Sequence, residues 1–224
     1  MNSLPADATV NSEWGMKHLI AALFLILFLT LAISMILSSL LRPNHLIAHL
    51  MSIGIDLIAI FYLNNKYPLM LSSTINSKRI AKYIFIGALI CLVVNFPHKI
   101  WTGNLKSIPT EYIFFTDYSL FEKGLFLLML CLIGPLTEEI LFRGFFYRIV
   151  KNRYDIFWGV LISTAIYTVF HGLEMKNLIY IAIPSLIYTY VYEKSGSIWA
   201  SILVHSLNNT LWFVFVYLGV RNFS

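Results

Sequence analysis

The sequence predicts an all-α protein, a polytopic transmembrane helical bundle of about seven spans with room for an eighth. Three observations predict it. Hydrophobic residues make up 58% of the 224 positions and charged residues only 12%, against about 25% charged in soluble domains. The mean hydropathy is +0.75. Apolar runs close to the ~20 residues that a helical crossing needs recur along the whole chain.

Taken in order, the runs are Leu19–Leu41, Leu46–Leu63, Ile80–Trp101, Lys123–Val150, Ile156–His171, Leu178–Tyr192 and Ile198–Val220. The first is followed by no A-x-A-like cleavage site and reads as a retained helix rather than a signal peptide. The fourth is too long for one simple span, whereas the fifth and sixth are short. Residues 1–16 form a polar tail, 17–122 the N-terminal helices with an interfacial loop, and 123–220 a helical core. That loop, 102–122, alternates aromatic and polar residues, as a segment lying at the membrane surface would. Gly134-Pro135 interrupts the fourth run, and proline both lacks an N–H and clashes with the preceding turn. A kink or restart is expected there. Such a break is tolerated where the backbone faces protein or a water-filled cavity.

The net charge of +5 does not point to nucleic acid, because the basic residues are scattered over short loops. In a membrane chain they report topology. With the N-terminus inside, Lys17, Lys66, Lys78, Arg79, Lys82, Arg148, Lys151, Arg153 and Lys194 fall on the cytoplasmic side. Arg42, Lys99, Lys106, Lys123, Lys176 and Arg221 fall opposite, which favours N-in and C-out. Cys91 and Cys131 lie inside predicted spans, so no disulfide framework is expected.

Against this background the stretch GPLTEEILFRGFFYR, 134–148, stands out for its charges. Asp56, Glu138 and Glu139 are the acidic residues far from a predicted membrane edge, and His171 and His205 are histidines within or closing later spans. Ionisable groups at such depth are expensive and are functional candidates by default. Glu139 and Arg143 are i, i+4 and can pair. Glu138 projects about a third of a turn away. Tyr167 and His171 share the same spacing, as do His205 and Asn209, so three helices each present a polar stripe. Rise along the helix permits the three stripes to meet in one layer without requiring it.

These elements, Glu138-Glu139-x-x-x-Arg143, then Tyr167-x-x-x-His171, then His205-x-x-x-Asn209, resemble the three motifs of the CPBP (Abi) family of CAAX-processing and bacteriocin-processing intramembrane endopeptidases. The resemblance covers about 123–215. Tyr167 stands where that family usually has Phe, which keeps the ring and adds a hydroxyl. What the resemblance implies is a multi-pass membrane protease, in all expectation of a prokaryotic inner or plasma membrane. Its partners would be the lipid bilayer and a membrane-anchored protein or peptide, with no nucleic acid.

The chemistry of the residues agrees with that implication. Hydrolysis needs a water, a base and donors for the oxyanion. Glu138 suits the base, His171 would share the proton, and His205 and Asn209 would hydrogen-bond the oxyanion. Glu139–Arg143 would be the structural pair at the site. No cofactor is favoured. A zinc site held by Glu138, His171 and His205 competes, since one carboxylate and two imidazoles with an open position also activate water. Against zinc, no H-E-x-x-H pair occurs. Two non-protease readings remain: a bacteriocin-immunity-type membrane protein in which the motifs merely hold helices, and a proton-coupled transporter using Asp56 and the glutamates. No G-x-S-x-G or phosphate-binding glycine loop is present.

Overall fold

The structure, a computed structural model, describes residues 12–40, 45–66, 76–102, 118–171 and 175–221. All regular structure among them is helical. The helices are α1 (Ser12–Leu40), α2 (His45–Lys66), α3 (Ser77–Thr102), α4 (Leu120–Arg153), α5 (Ile156–Phe170), α6 (Met175–Ser195) and α7 (Ile198–Arg221). Each coincides with one expected apolar run. Helix α1 starts at Ser12, inside the stretch expected as a tail. Residues 1–11 and most of the expected interfacial loop, 103–117, lie outside the described residues.

Local signals explain the ends. Ser119 and Glu122 open α4 with a reciprocal capping box: the Glu122 amide donates to Ser119 Oγ at 3.3 Å, and the Ser119 amide to Glu122 Oε2 at 2.8 Å. Asp155 caps α5 by accepting from the Trp158 amide at 3.0 Å. Gly196, at φ 71°, turns the chain out of α6 as only glycine does readily. Arg79 then donates through Nε to the Lys194 carbonyl at 2.6 Å, tying the last turn of α6 to α3.

Helix α4 is the axis of the molecule. It packs against α1, α2, α5 and α7, while α3, α6 and α7 form a second group beside it. Leu141, Phe145 and Phe146 of α4 are buried among Ile26 of α1 and Ala59 and Leu63 of α2. The second core gathers Cys91, Tyr188, Val191 and Val204. A Cβ at Gly87 would meet Val191 at 2.6 Å, so the glycine lets α3 approach α6 closely, a common device between membrane helices. Outward faces are apolar: Phe24, Phe28, Phe61 and Phe85 are all exposed.

Length and hydropathy mark two described helices as long and apolar enough to cross a membrane, Leu120–Arg153 and Ile198–Phe215. Shorter apolar stretches are Gly15–Ile26, Leu50–Asn65 and Ile156–Phe170.

Helix α4 does not run in one register. Two π-helical segments, Met129–Ile133 and Ile140–Tyr147, flank the α-helical Gly134–Glu139. The interruption expected at Gly134-Pro135 therefore takes the form of a π turn that ends there, after which the α register restarts. Thr137 Oγ1 donates to the carbonyls of Ile133 and Gly134, at 3.2 and 3.0 Å, beside the proline. Segments of π-helix are rare and mark functional regions of helices.

Candidate active site

The α-helical segment that follows the π turn carries two adjacent glutamates, about 100° apart around the axis, into different surroundings. Glu139 is fully buried. Its Oε1 accepts from Arg143 Nη1 at 3.0 Å, the i, i+4 pair the spacing predicts. The same oxygen lies 2.9 Å from His205 Nδ1 on α7. Arg143, 1% exposed, donates through Nη2 to the Ser185 carbonyl at 2.7 Å and to its hydroxyl at 2.8 Å. Its guanidinium sits between two rings, 5.0 Å from Tyr167 and 5.4 Å from Tyr188. A buried ion pair holds only when its remaining hydrogen-bonding groups are met, and Ser185, His205 and the two tyrosines meet most of them.

Glu138 faces the other way. Its Oε2 lies 3.5 Å from His171 Nε2 and 3.9 Å from His205 Nε2. The three helices α4, α5 and α7 therefore meet at one point, as the polar stripes permitted. His171 is the C-cap of α5, and its Nδ1 donates to the Tyr167 carbonyl at 2.9 Å. His205 is packed flat against Tyr188, with ring centroids 4.3 Å apart and 17° between planes. Tyr167 contributes a second wall, 4.2 Å from His171. Its hydroxyl faces Glu138.

The hydrogen bonds assign the tautomers. A carbonyl on Nδ1 of His171 and a carboxylate on Nδ1 of His205 both require an N–H there. Each neutral ring then presents an Nε2 lone pair to Glu138 Oε2, which is buried and has no hydrogen-bond partner. Three acceptors facing one another call for a donor between them: a proton, or a water with its two hydrogens.

Asn209 is placed differently from the other motif residues. Its Nδ2 donates to the Leu130 carbonyl in the first π turn at 3.0 Å. Asp56, which belongs to no motif, comes from α2 to face Thr137, Glu138 and His171. Ser185 and Tyr188 were invisible to motif reasoning. The one trace of them was a polar residue and a ring just after Pro184 in an apolar run.

In donor type, two imidazoles and a carboxylate suit zinc, and Glu139 behind His205 is the outer carboxylate that such sites favour. Among the described residues, however, no group of three His, Cys, Asp or Glu side chains is arranged to hold a metal ion.

Comparison with known proteins finds a likeness to the same kind of family that the three motifs resemble. Residues 121–211 match the family model described as Rce1-like, type II CAAX prenyl endopeptidase. The span runs from the first turn of α4 to just beyond Asn209. A Bacillus subtilis (strain 168) protein named "Putative membrane peptidase YdiL" is 26% identical over 99 residues, covering 44% of this chain and 40% of that protein. An Escherichia coli protein named "Uncharacterized 24.3 kDa protein" is 29% identical over 121 residues, or 50% of this chain and 55% of that one. The chain thus spans about half the length of the curated relatives it matches. No solved structure matches. The family match and the two long apolar helices together make this a membrane protein.

Proposed function

We propose that the protein is a multi-pass intramembrane endopeptidase that hydrolyses a peptide bond in a membrane-associated protein, using a water activated by Glu138 and His171. The carrying observation is the unpartnered Glu138 Oε2 facing two imidazole Nε2 atoms. All seven helices cross the membrane in this reading, in a prokaryotic inner or plasma membrane.

A water seated among the three acceptors donates one hydrogen to Glu138 and one to His171, leaving an oxygen lone pair for the carbonyl carbon. Attack forms the new C–O bond as Glu138 takes the proton. His205, as the imidazolium with hydrogen on both ring nitrogens, donates through Nε2 to the oxyanion, together with the second amide hydrogen of Asn209. Loss of one such donor typically costs about 3–4 kcal/mol of transition-state stabilisation. Collapse breaks the C–N bond, and the proton held by Glu138 and His171 passes to the leaving nitrogen. Glu139 takes no part in proton transfer. It holds Arg143 and the Nδ1 side of His205, so that Nε2 stays aimed at Glu138.

The metal alternative draws on one observation, Glu139 standing behind His205 as an outer-sphere carboxylate. An ion there would be held by Glu138, His171 and His205 and would supply Lewis acidity to a bound water. The matched family's name supplies the substrate class we favour, a protein with a prenylated C-terminal cysteine motif. Leader and sorting-signal peptides are the other members of the class.

Purified protein in liposomes is to be given two reporter peptides alike except for a farnesyl group on a C-terminal Cys-x-x-x cysteine. Mass spectrometry then reads new termini. Cleavage beside the modified cysteine, absent without the farnesyl group, supports the reading. Intact peptides of both kinds, from that reporter and from leader-type reporters, argue for the immunity-type or transporter alternatives.

A further inference from the structure

The first π turn leaves one backbone carbonyl without a backbone donor. In a π turn each N–H reaches the carbonyl five residues back, and the Gly134 amide accordingly donates to Met129 O. The next donor in that register would be residue 135, aimed at Leu130 O. Residue 135 is proline and has no N–H. The other backbone route to Leu130 O, the α-type bond from residue 134, is taken up by Met129. A carbonyl stranded in a helix inside an apolar protein is costly unless something replaces the missing donor. Asn209 Nδ2, from α7, does so at 3.0 Å.

We propose that Asn209 is a positioning residue for Glu138: its side-chain amide replaces the N–H that Pro135 lacks and clips the π turn of α4 to α7. The clip joins the two helices whose catalytic groups must meet. Leu130 lies about two turns before Glu138 on α4, and Asn209 one turn after His205 on α7. Fixing Leu130 to Asn209 sets the sliding of one helix on the other, and with it the 3.9 Å between Glu138 Oε2 and His205 Nε2. Gly134 is part of the same device. A Cβ there would meet Met129 O at 2.9 Å, so the tight π turn requires the glycine. The inference deepens the proteolytic reading by giving an oxyanion candidate a second task, but it stands on the hydrogen bond alone.

The test is a rescue. Pro135→Ala restores an N–H that reaches Leu130 O in the π register, which makes the Asn209 amide redundant there. Wild type, Asn209→Ala, Pro135→Ala and the double variant are compared in detergent by thermal unfolding, and by amide exchange across 129–139. Asn209→Ala is expected to lower Tm by several degrees and to speed exchange at 136–139. In the Pro135→Ala background the same change should move both by less than half as much. Equal losses in the two backgrounds overturn the clip, as does an Asn209→Ala protein with unchanged Tm and exchange. Cleavage of the farnesylated reporter adds the catalytic readout. A clip predicts that Pro135→Ala recovers most of the rate lost in Asn209→Ala, whereas recovery of stability without any recovery of rate refutes positioning. If no variant, wild type included, cleaves the reporter, the proteolytic reading fails on its own, and Tm and exchange still decide the clip.

Discussion

Two faces of α4, one residue apart in sequence, do opposite things with the same side chain. On the inner face, Glu139 is sealed off from solvent and held by Arg143 and His205, with Ser185 and two tyrosine rings completing the shell around the arginine. On the other face, Glu138 is 22% exposed and keeps an oxygen without a hydrogen-bond partner between two imidazoles. Each glutamate keeps an Oε2 without a hydrogen-bond partner, but that of Glu139 is sealed in the interior while its Oε1 holds Arg143 and His205, whereas that of Glu138 faces two imidazole nitrogens that can carry a proton. Both lie in the α-helical segment Gly134–Glu139, where successive residues point about 100° apart, and that turn is enough to give the two such different surroundings.

The contrast breaks most sharply at Glu138. Glu138→Gln is expected to slow cleavage by about 10³-fold while leaving Tm within a degree or two of wild type. Activity and unfolding measured on one preparation check this together. Arg143→Leu tests the strut. It strands the Glu139 charge in the interior, so a loss of about 3–5 kcal/mol is expected, read as a large drop in Tm or a failure to accumulate. If Arg143→Leu were as stable as wild type and Glu138→Gln unfolded, the roles would be the reverse of those assigned here.

How much of this the sequence disclosed follows from what a helix shows of itself. All seven helices were legible as apolar runs, and Glu139–Arg143 was legible as i, i+4. So was the break at Pro135, because each is a relation within one helix. The bond between His205 and Glu139 links residues 66 apart, Arg143 to Ser185 links residues 42 apart, and Asn209 to Leu130 links residues 79 apart. No periodicity encodes such meetings. The motif resemblance named the partners on three helices without saying which glutamate touched which histidine. It also gave Glu139 to Arg143 alone, where the structure adds His205. The π turns were illegible for a related reason: an i→i+5 register depends on packing and on the Gly134–Met129 approach, not on composition.

Smaller effects sharpen the comparison. His171→Ala is expected to reduce cleavage by about 10²-fold with modest change in Tm, because its side chain is 35% exposed and its Nδ1 bond is local. Gly134→Ala should destabilise by about 1–3 kcal/mol through the Met129 carbonyl, as overpacking does, and should disturb Glu138 more than Glu139. Tyr167→Phe keeps the ring against Arg143 and His171 and removes only the hydroxyl facing Glu138. A fall in rate of less than about 10-fold is expected, with Tm preserved. A larger loss would make the hydroxyl part of the reacting group rather than a neighbour of it.

The most direct measurement of the central claim is cleavage of a membrane-anchored reporter by purified wild type and Glu138→Ala, each with and without a metal chelator. Wild type is expected to cut equally well in both conditions, and Glu138→Ala not to cut. Wild-type cleavage abolished by the chelator would move the water onto a metal held by Glu138, His171 and His205. Undiminished cleavage by Glu138→Ala would contradict the assignment outright and leave both glutamates as struts.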